Sequence, residues 1–137
     1  MKIEETLSTA ELAAYNATTL AYIGDAVMSL WVRTHLIMQG CGKTGVLQKQ
    51  SEAWVSARAQ STYLRVLMDQ GFFDEAETAI ILRGRNSKTE SRAKNASMME
   101  YRMATGLEAL IGYLYLSNQT VRMQELWNEI LKLGEAK

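Results

Sequence analysis

Val55, Ala59, Tyr63, Val66 and Leu67 recur at steps of three and four and line one helical stripe, the spacing by which an amphipathic helix faces a core. Read this way, the chain divides into five helices. Ser8 or Thr9 caps the first, which runs to about Met38 and stops at Gly40-Cys41-Gly42. A second spans roughly Val46 to Asp69 and ends at Gly71. Asp74 caps a shorter third helix through Leu82, and Arg83 to Asn95 reads as an exposed polar loop without apolar periodicity. Helices over about Met98–Leu116 and Thr120–Leu133 follow, the last ended by Gly134. The pattern predicts an all-α fold in one domain, residues 1–137.

Composition agrees. The chain has 137 residues, 47% hydrophobic and 22% charged, which suits a globular domain with a real core. Proline is absent, which favours helices over turn-rich architectures. The single cysteine, Cys41, excludes an internal disulfide and any zinc site needing two thiolates. The N-terminus carries acids where a secretory signal carries bases, and the run from Glu11 to Arg33 is too polar for a membrane span. A cytoplasmic, membrane-free protein is expected. Net charge is zero, so any affinity for nucleic acid depends on how charge is distributed.

Two carboxylates stand out against this background. Asp25 is the only charged residue between Glu11 and Arg33, and Glu108 the only one between Arg102 and Arg122. An unpaired carboxylate in an apolar helix costs several kcal/mol unless something compensates it. Two of them on separate helices suggest one shared compensator, and a hard cation such as Mg²⁺ takes oxygen ligands and keeps its waters beside a phosphate. Gly24 precedes Asp25, and Gly106 and Gly112 flank Glu108. Glycine costs a helix about 1 kcal/mol against alanine, so its use suggests close approach of another helix or of substrate. A plainer account stays open at this point: Asp25 on a narrow exposed stripe, and Glu108 paired with Arg33 or Arg102.

The segment from Arg83 to Asn95 holds Arg83, Arg85, Lys88, Arg92 and Lys94 against one acid, Glu90. Such a segment can follow a phosphate backbone, and without an interleaved aromatic it suits a duplex better than stacked single-stranded bases. Lys43, Lys49, Arg58 and Arg65 extend the basic surface, while acids gather at Asp69, Asp74, Glu75 and Glu77. His35, the only histidine, fits a helix C-terminus better than a metal site. Tyr22, Trp31, Trp54, Tyr63 and Trp127 read as core or interface.

Four segments, in order, resemble a known family. Leu20-Ala21-Tyr22-Ile23-Gly24-Asp25-Ala26-Val27 is similar to the helix that marks the ribonuclease III catalytic domain, specifically its short form, Mini-ribonuclease III. Val55–Gln60, Leu82–Lys88 and Tyr101–Tyr113 resemble that form's second-helix motif, basic loop and second acidic helix. The resemblance covers nearly the whole chain. It implies the helical bundle of a ribonuclease III endonuclease domain, acting as a homodimer without a separate double-stranded-RNA-binding domain. It also implies Mg²⁺-dependent hydrolysis of duplex RNA, with Mn²⁺ as an alternative ion, and maturation of large-subunit (23S) ribosomal RNA precursor.

On this resemblance Asp25 and Glu108 are the expected catalytic and metal-binding residues. Arg83, Arg85, Asn86, Lys88, Lys94, Ser56, Arg58 and Gln60 are the expected RNA contacts, and Thr105 a candidate for positioning water. Water activated at the metal attacks phosphorus and leaves a 5′-phosphate and a 3′-hydroxyl. Larger relatives carry acids four residues before the aspartate and three before the glutamate; Ala21 and Thr105 stand there instead. Met28 and Ser29 depart from the aromatic and acid that the short form often has next. Two other classes remain open on sequence: an inert module that grips structured RNA, and a helical interaction protein with no RNA role. The glycine-flanked helices are candidates for the dimer interface.

Overall fold

The computed structural model describes residues 7–40, 42–87 and 97–135. The described residues form seven helices and no strand: α1 (Thr9–Ala13), α2 (Ala17–Met38), α3 (Thr44–Val55), α4 (Ala57–Asp69), α5 (Glu75–Arg85), α6 (Met98–Leu116) and α7 (Thr120–Glu135). Side chains close to each start set the boundaries. Ser8 with Glu11, Asp74 with Glu77 and Ser97 with Glu100 form capping boxes that satisfy first-turn N–H groups of α1, α5 and α6.

Two of the expected helices are split. The first breaks at Ala14–Asn16, where the Asn16 side chain accepts from Thr18 N at 3.0 Å and starts α2. The second breaks at Ser56, whose hydroxyl accepts from Ala59 N at 3.1 Å and starts α4. In both cases a side-chain acceptor offers the backbone a better partner than a continued helix does. Two ends also move. Arg83, Gly84 and Arg85 lie in α5 and not in a loop, and Gly134 lies inside α7. Residues 88–95 of the expected basic loop, Lys88 and Lys94 among them, and Cys41 fall outside the described residues.

α6 is the axis of the molecule. Its buried residues run from Met103 to Leu107 and from Ala109 to Leu114, so it is covered on nearly all sides. α2, α4, α5 and α7 pack around it. Glycines let two of these neighbours come to backbone contact. A Cβ on Gly24 of α2 would sit 1.7 Å from the carbonyl oxygen of Glu108, and one on Gly112 of α6 would sit 1.9 Å from that of Leu20. Gly84 of α5 meets Gly106 of α6 in the same way, a Cβ there lying 2.8 Å from the Gly106 Cα. Crossings within the chain account for these glycines.

At one end of the bundle Trp31, Trp54 and Trp127 cluster with ring centroids 5.5 and 6.1 Å apart. His35, in the last turn of α2, meets Trp54 edge-on and Glu135 at 3.6 Å. The Trp54 ring lies against Gly134, where a Cβ would be 2.1 Å from it, which explains a glycine in the last turn of α7. Among the described residues no helix is long and apolar enough to cross a membrane.

Candidate functional site

Gly24 and Gly112 fix the depth of the α2–α6 crossing, and Asp25 and Glu108 sit beside it. Because α2 and α6 touch backbone to backbone there, the carboxylate one residue after Gly24 reaches the one that α6 carries. Both line a cleft of about 430 Å³, together with Thr18, Tyr22, Gln60, Tyr101 and Thr105. Asp25 is exposed at its mouth and Glu108 is half-buried below. Burial pushes the Glu108 carboxyl up to about 8; a hydrogen bond with Asp25 and the Asp25 charge push the same way, and the Gln60 amide opposes them. Near neutral pH Glu108 therefore holds a proton, or the cleft a cation in its stead. Among the described residues no arginine or lysine pairs with either acid, so the pairing with Arg33 or Arg102 left open by the sequence does not occur. Both ligand candidates are hard oxygen donors, and no group of three or more His, Cys, Asp or Glu capable of holding a metal occurs among the described residues.

The expected RNA contacts divide. Arg58, in the first turn of α4, is exposed, with Glu100 3.5 Å from its Nε. Ser56 is spent on the α4 cap. Gln60 lines the cleft but is only 2% exposed. Its Nε2 donates to Val55 O at 2.9 Å and to Glu108 Oε2 at 3.2 Å. Arg83 donates to Ala13 O and Tyr15 O, closing the end of α1. Arg85 ends α5 and Asn86 is its C-cap; neither is among the residues that line the Asp25–Glu108 cleft. Thr105 does line it, and its hydroxyl donates back to Tyr101 O at 3.1 Å.

Thr18, Tyr22 and Tyr101 were not singled out for the site by sequence, although the spacing holds the signal. Thr18 and Tyr22 lie seven and three residues before Asp25, and Tyr101 and Thr105 seven and three before Glu108; these steps share a helical face. Tyr22, expected in a core or interface, is 83% exposed.

The sequence profile of the ribonuclease III domain matches residues 18–119. The chain belongs to the ribonuclease III domain family. The Mini-ribonuclease 3 of Staphylococcus aureus is 40% identical over 118 residues, covering 86% of this chain and 88% of that one. The Mini-ribonuclease 3 of Brevibacillus brevis is 43% identical over 122 residues, covering 89% and 90%. A crystal structure of a protein from Fusobacterium nucleatum superposes with a TM-score of 0.76 at 32% identity, covering 87% of this chain and 93% of that one. The chain is thus an endoribonuclease of the ribonuclease III family, and the cleft at the α2–α6 crossing lies within the matched residues.

Proposed function

We propose that this ribonuclease III-type enzyme hydrolyses double-stranded RNA at the Asp25–Glu108 cleft with a divalent cation, Mg²⁺ or Mn²⁺, held by those two carboxylates. One observation carries the reading: two acids from separate helices meet in a polar cleft with no cationic side chain among the described residues to neutralise them. Their oxygens suit a hard cation that keeps part of its water shell. When bound, such an ion neutralises charge developing on the scissile phosphate and lowers the pKa of water beside it.

The chain's own residues supply the frame. Asp25 and Glu108 would seat the ion, Glu108 from the deeper position. Ala21 and Thr105 occupy the positions where larger relatives carry acids; both are buried, and the Thr105 hydroxyl is the remaining polar group there to orient a water. Two carboxylates, not four, favour one firmly held ion per subunit. Arg58 lies exposed on the first turn of α4 and suits a phosphate contact. Arg85 and Asn86 extend that role along the end of α5, with Lys88 and Lys94 continuing it on sequence grounds.

One such cleft cuts one strand, so cleavage of both strands calls for a homodimer. Tyr22, a large exposed side chain beside the cleft, supports a covered surface there. The substrate we assign is a duplex in large-subunit (23S) ribosomal RNA precursor, which puts the work in the cytoplasm. That assignment rests on the kinship with the Mini-ribonucleases 3 and on the resemblance above.

The test compares wild type with Asp25→Asn and Glu108→Gln on duplex and single-stranded RNA, with Mg²⁺, with Ca²⁺ and with chelator. Each variant is expected to lose cleavage by about 10³-fold, equivalent to ~4 kcal/mol of transition-state stabilisation, while duplex affinity in Ca²⁺ persists. Chelator-resistant cutting, or full activity in both variants, sinks the reading.

A further inference from the structure

Gln60 occupies a position that an apolar residue would fill at less cost. It is 2% exposed on α4, in a helix whose other buried residues include Ala59, Tyr63, Leu64 and Leu67. Its Nε2 spends both hydrogens, one on Val55 O, a carbonyl left without a helical partner at the end of α3, and one on Glu108 Oε2. Its Oε1 is buried and accepts from nothing among the described residues. Turning the amide over would set that oxygen against the Val55 carbonyl, which can only accept. The chain thus tolerates one unmet acceptor to keep both N–H groups aimed, and an unmet buried acceptor carries the full desolvation cost of the group.

We infer that Gln60 is a positioning residue of the cleft, whose amide anchors the Glu108 carboxylate to the α3–α4 junction and presents it to the cation. The inference rests on the reading of Glu108 as a cation ligand and adds what holds that ligand in place. It replaces the sequence-based expectation that Gln60 touches RNA. The bond to Val55 O couples this orientation to the break at Ser56, so the α3–α4 split serves the site as well as the fold. Removing such an outer partner of a metal ligand typically weakens metal binding 10- to 100-fold.

The experiment uses the full chain and two readouts. Mn²⁺ binding is titrated calorimetrically without RNA, and duplex cleavage is followed against Mg²⁺ concentration and against RNA concentration. Gln60→Met, close in volume and without N–H donors, is expected to weaken Mn²⁺ binding about 10-fold or more. The Mg²⁺ needed for half-maximal cleavage should rise by the same factor, while KM for RNA at saturating Mg²⁺ stays within about twofold. Gln60→Asn, which keeps the amide but cannot span both partners, should lose affinity in the same sense. In the Glu108→Gln background, Gln60→Met should cause no further loss, since its effect passes through Glu108. Unchanged Mn²⁺ binding, a raised KM for RNA alone, or unfolding of both Gln60 variants without metal overturns the inference. If Glu108→Gln binds Mn²⁺ as tightly as wild type, the reading of Glu108 itself has failed, which is a separate result.

Discussion

Glu77 and Glu108 are both acids withdrawn from water on helices that pack in the same bundle, and they are compensated in opposite ways. Glu77 is 3% exposed. Arg122 of α7 grips both of its oxygens at 2.8 Å, and the same guanidinium donates to Phe72 O and lies 4.1 Å over the Phe72 ring. Glu77 also accepts from Asp74 N in the α5 capping box. Both oxygens of that carboxylate are partnered within the chain. Glu108 has an amide, a second carboxyl and no cation among the described residues. A fully partnered acid is a structural joint. One whose neighbours raise the cost of its charge is built around something that the chain does not itself provide.

The largest effect that separates the two regions is the removal of the Glu77 partner. Arg122→Met leaves a buried charge without compensation, which costs about 3–5 kcal/mol and lowers Tm by roughly 12 °C or more at about 4 °C per kcal/mol. Adding Glu77→Gln in the same chain should restore part of the loss, because the buried charge is then gone as well. Cleavage per folded molecule should not change in either variant. A thermal melt paired with an activity assay at low temperature checks both; a fall in the turnover of folded protein breaks the distinction between joint and site.

Glu77 shows where sequence reading ran out. In the chain it looks like one of four surface acids near Asp69–Glu77, since nothing local announces an arginine 45 residues away. Asp25 and Glu108 were legible because each is alone in an apolar helix, and a lone charge needs no partner's position to be noticed. The long helices were legible from period, and the starts of α1 and α5 from their caps. The breaks at Asn16 and Ser56 were not, although Asn and Ser are ordinary N-cap residues; the apolar stripe runs through both breaks and hides them. Arg83–Arg85 read as loop because the buried face of α5 there is the Gly84 backbone against Gly106, which leaves no apolar side chain to count. Gln60 read as surface because a polar residue gives no local sign that its partner is a buried carboxylate.

An intermediate effect concerns Glu108 without metal. Its carboxyl titrates near 4.5 when unfolded and is pushed up to about 8 when folded, first by burial and then by Asp25. Between those values the native chain holds a proton that the unfolded chain has lost. Stability therefore falls as pH rises through that window, and above about 8 the whole penalty is present. Glu108→Gln carries no such penalty. At pH 8.5 in chelator it should melt about 4 °C or more above wild type, equivalent to ~1 kcal/mol, and the gap should close by pH 4.5. Mg²⁺ should raise the Tm of wild type and not that of the variant. A pH-independent difference between the two would mean that the Glu108 charge is already satisfied at home, as that of Glu77 is.

The smallest effect puts the same question to a cation. Arg83 was expected on the RNA, yet its guanidinium donates to Ala13 O and Tyr15 O, carbonyls that the end of α1 leaves unpaired. Arg58, by contrast, is exposed, with one acid 3.5 Å from its Nε. A side chain already engaged across the α1–α2 turn resembles Arg122 more than a phosphate clamp. Arg83→Ala should then cost about 1 kcal/mol, the usual net worth of such hydrogen bonds, and leave the salt dependence of duplex binding unaltered. Arg58→Ala should leave Tm nearly unchanged, because an exposed pair contributes little, and should flatten the salt dependence by roughly the share of one phosphate contact. Filter binding of duplex RNA in Ca²⁺ across a series of salt concentrations reads both slopes. If Arg83→Ala flattens the slope and Arg58→Ala does not, the arginine bonded at home is also the one that meets the substrate, and internal partnership no longer separates joint from site in this molecule.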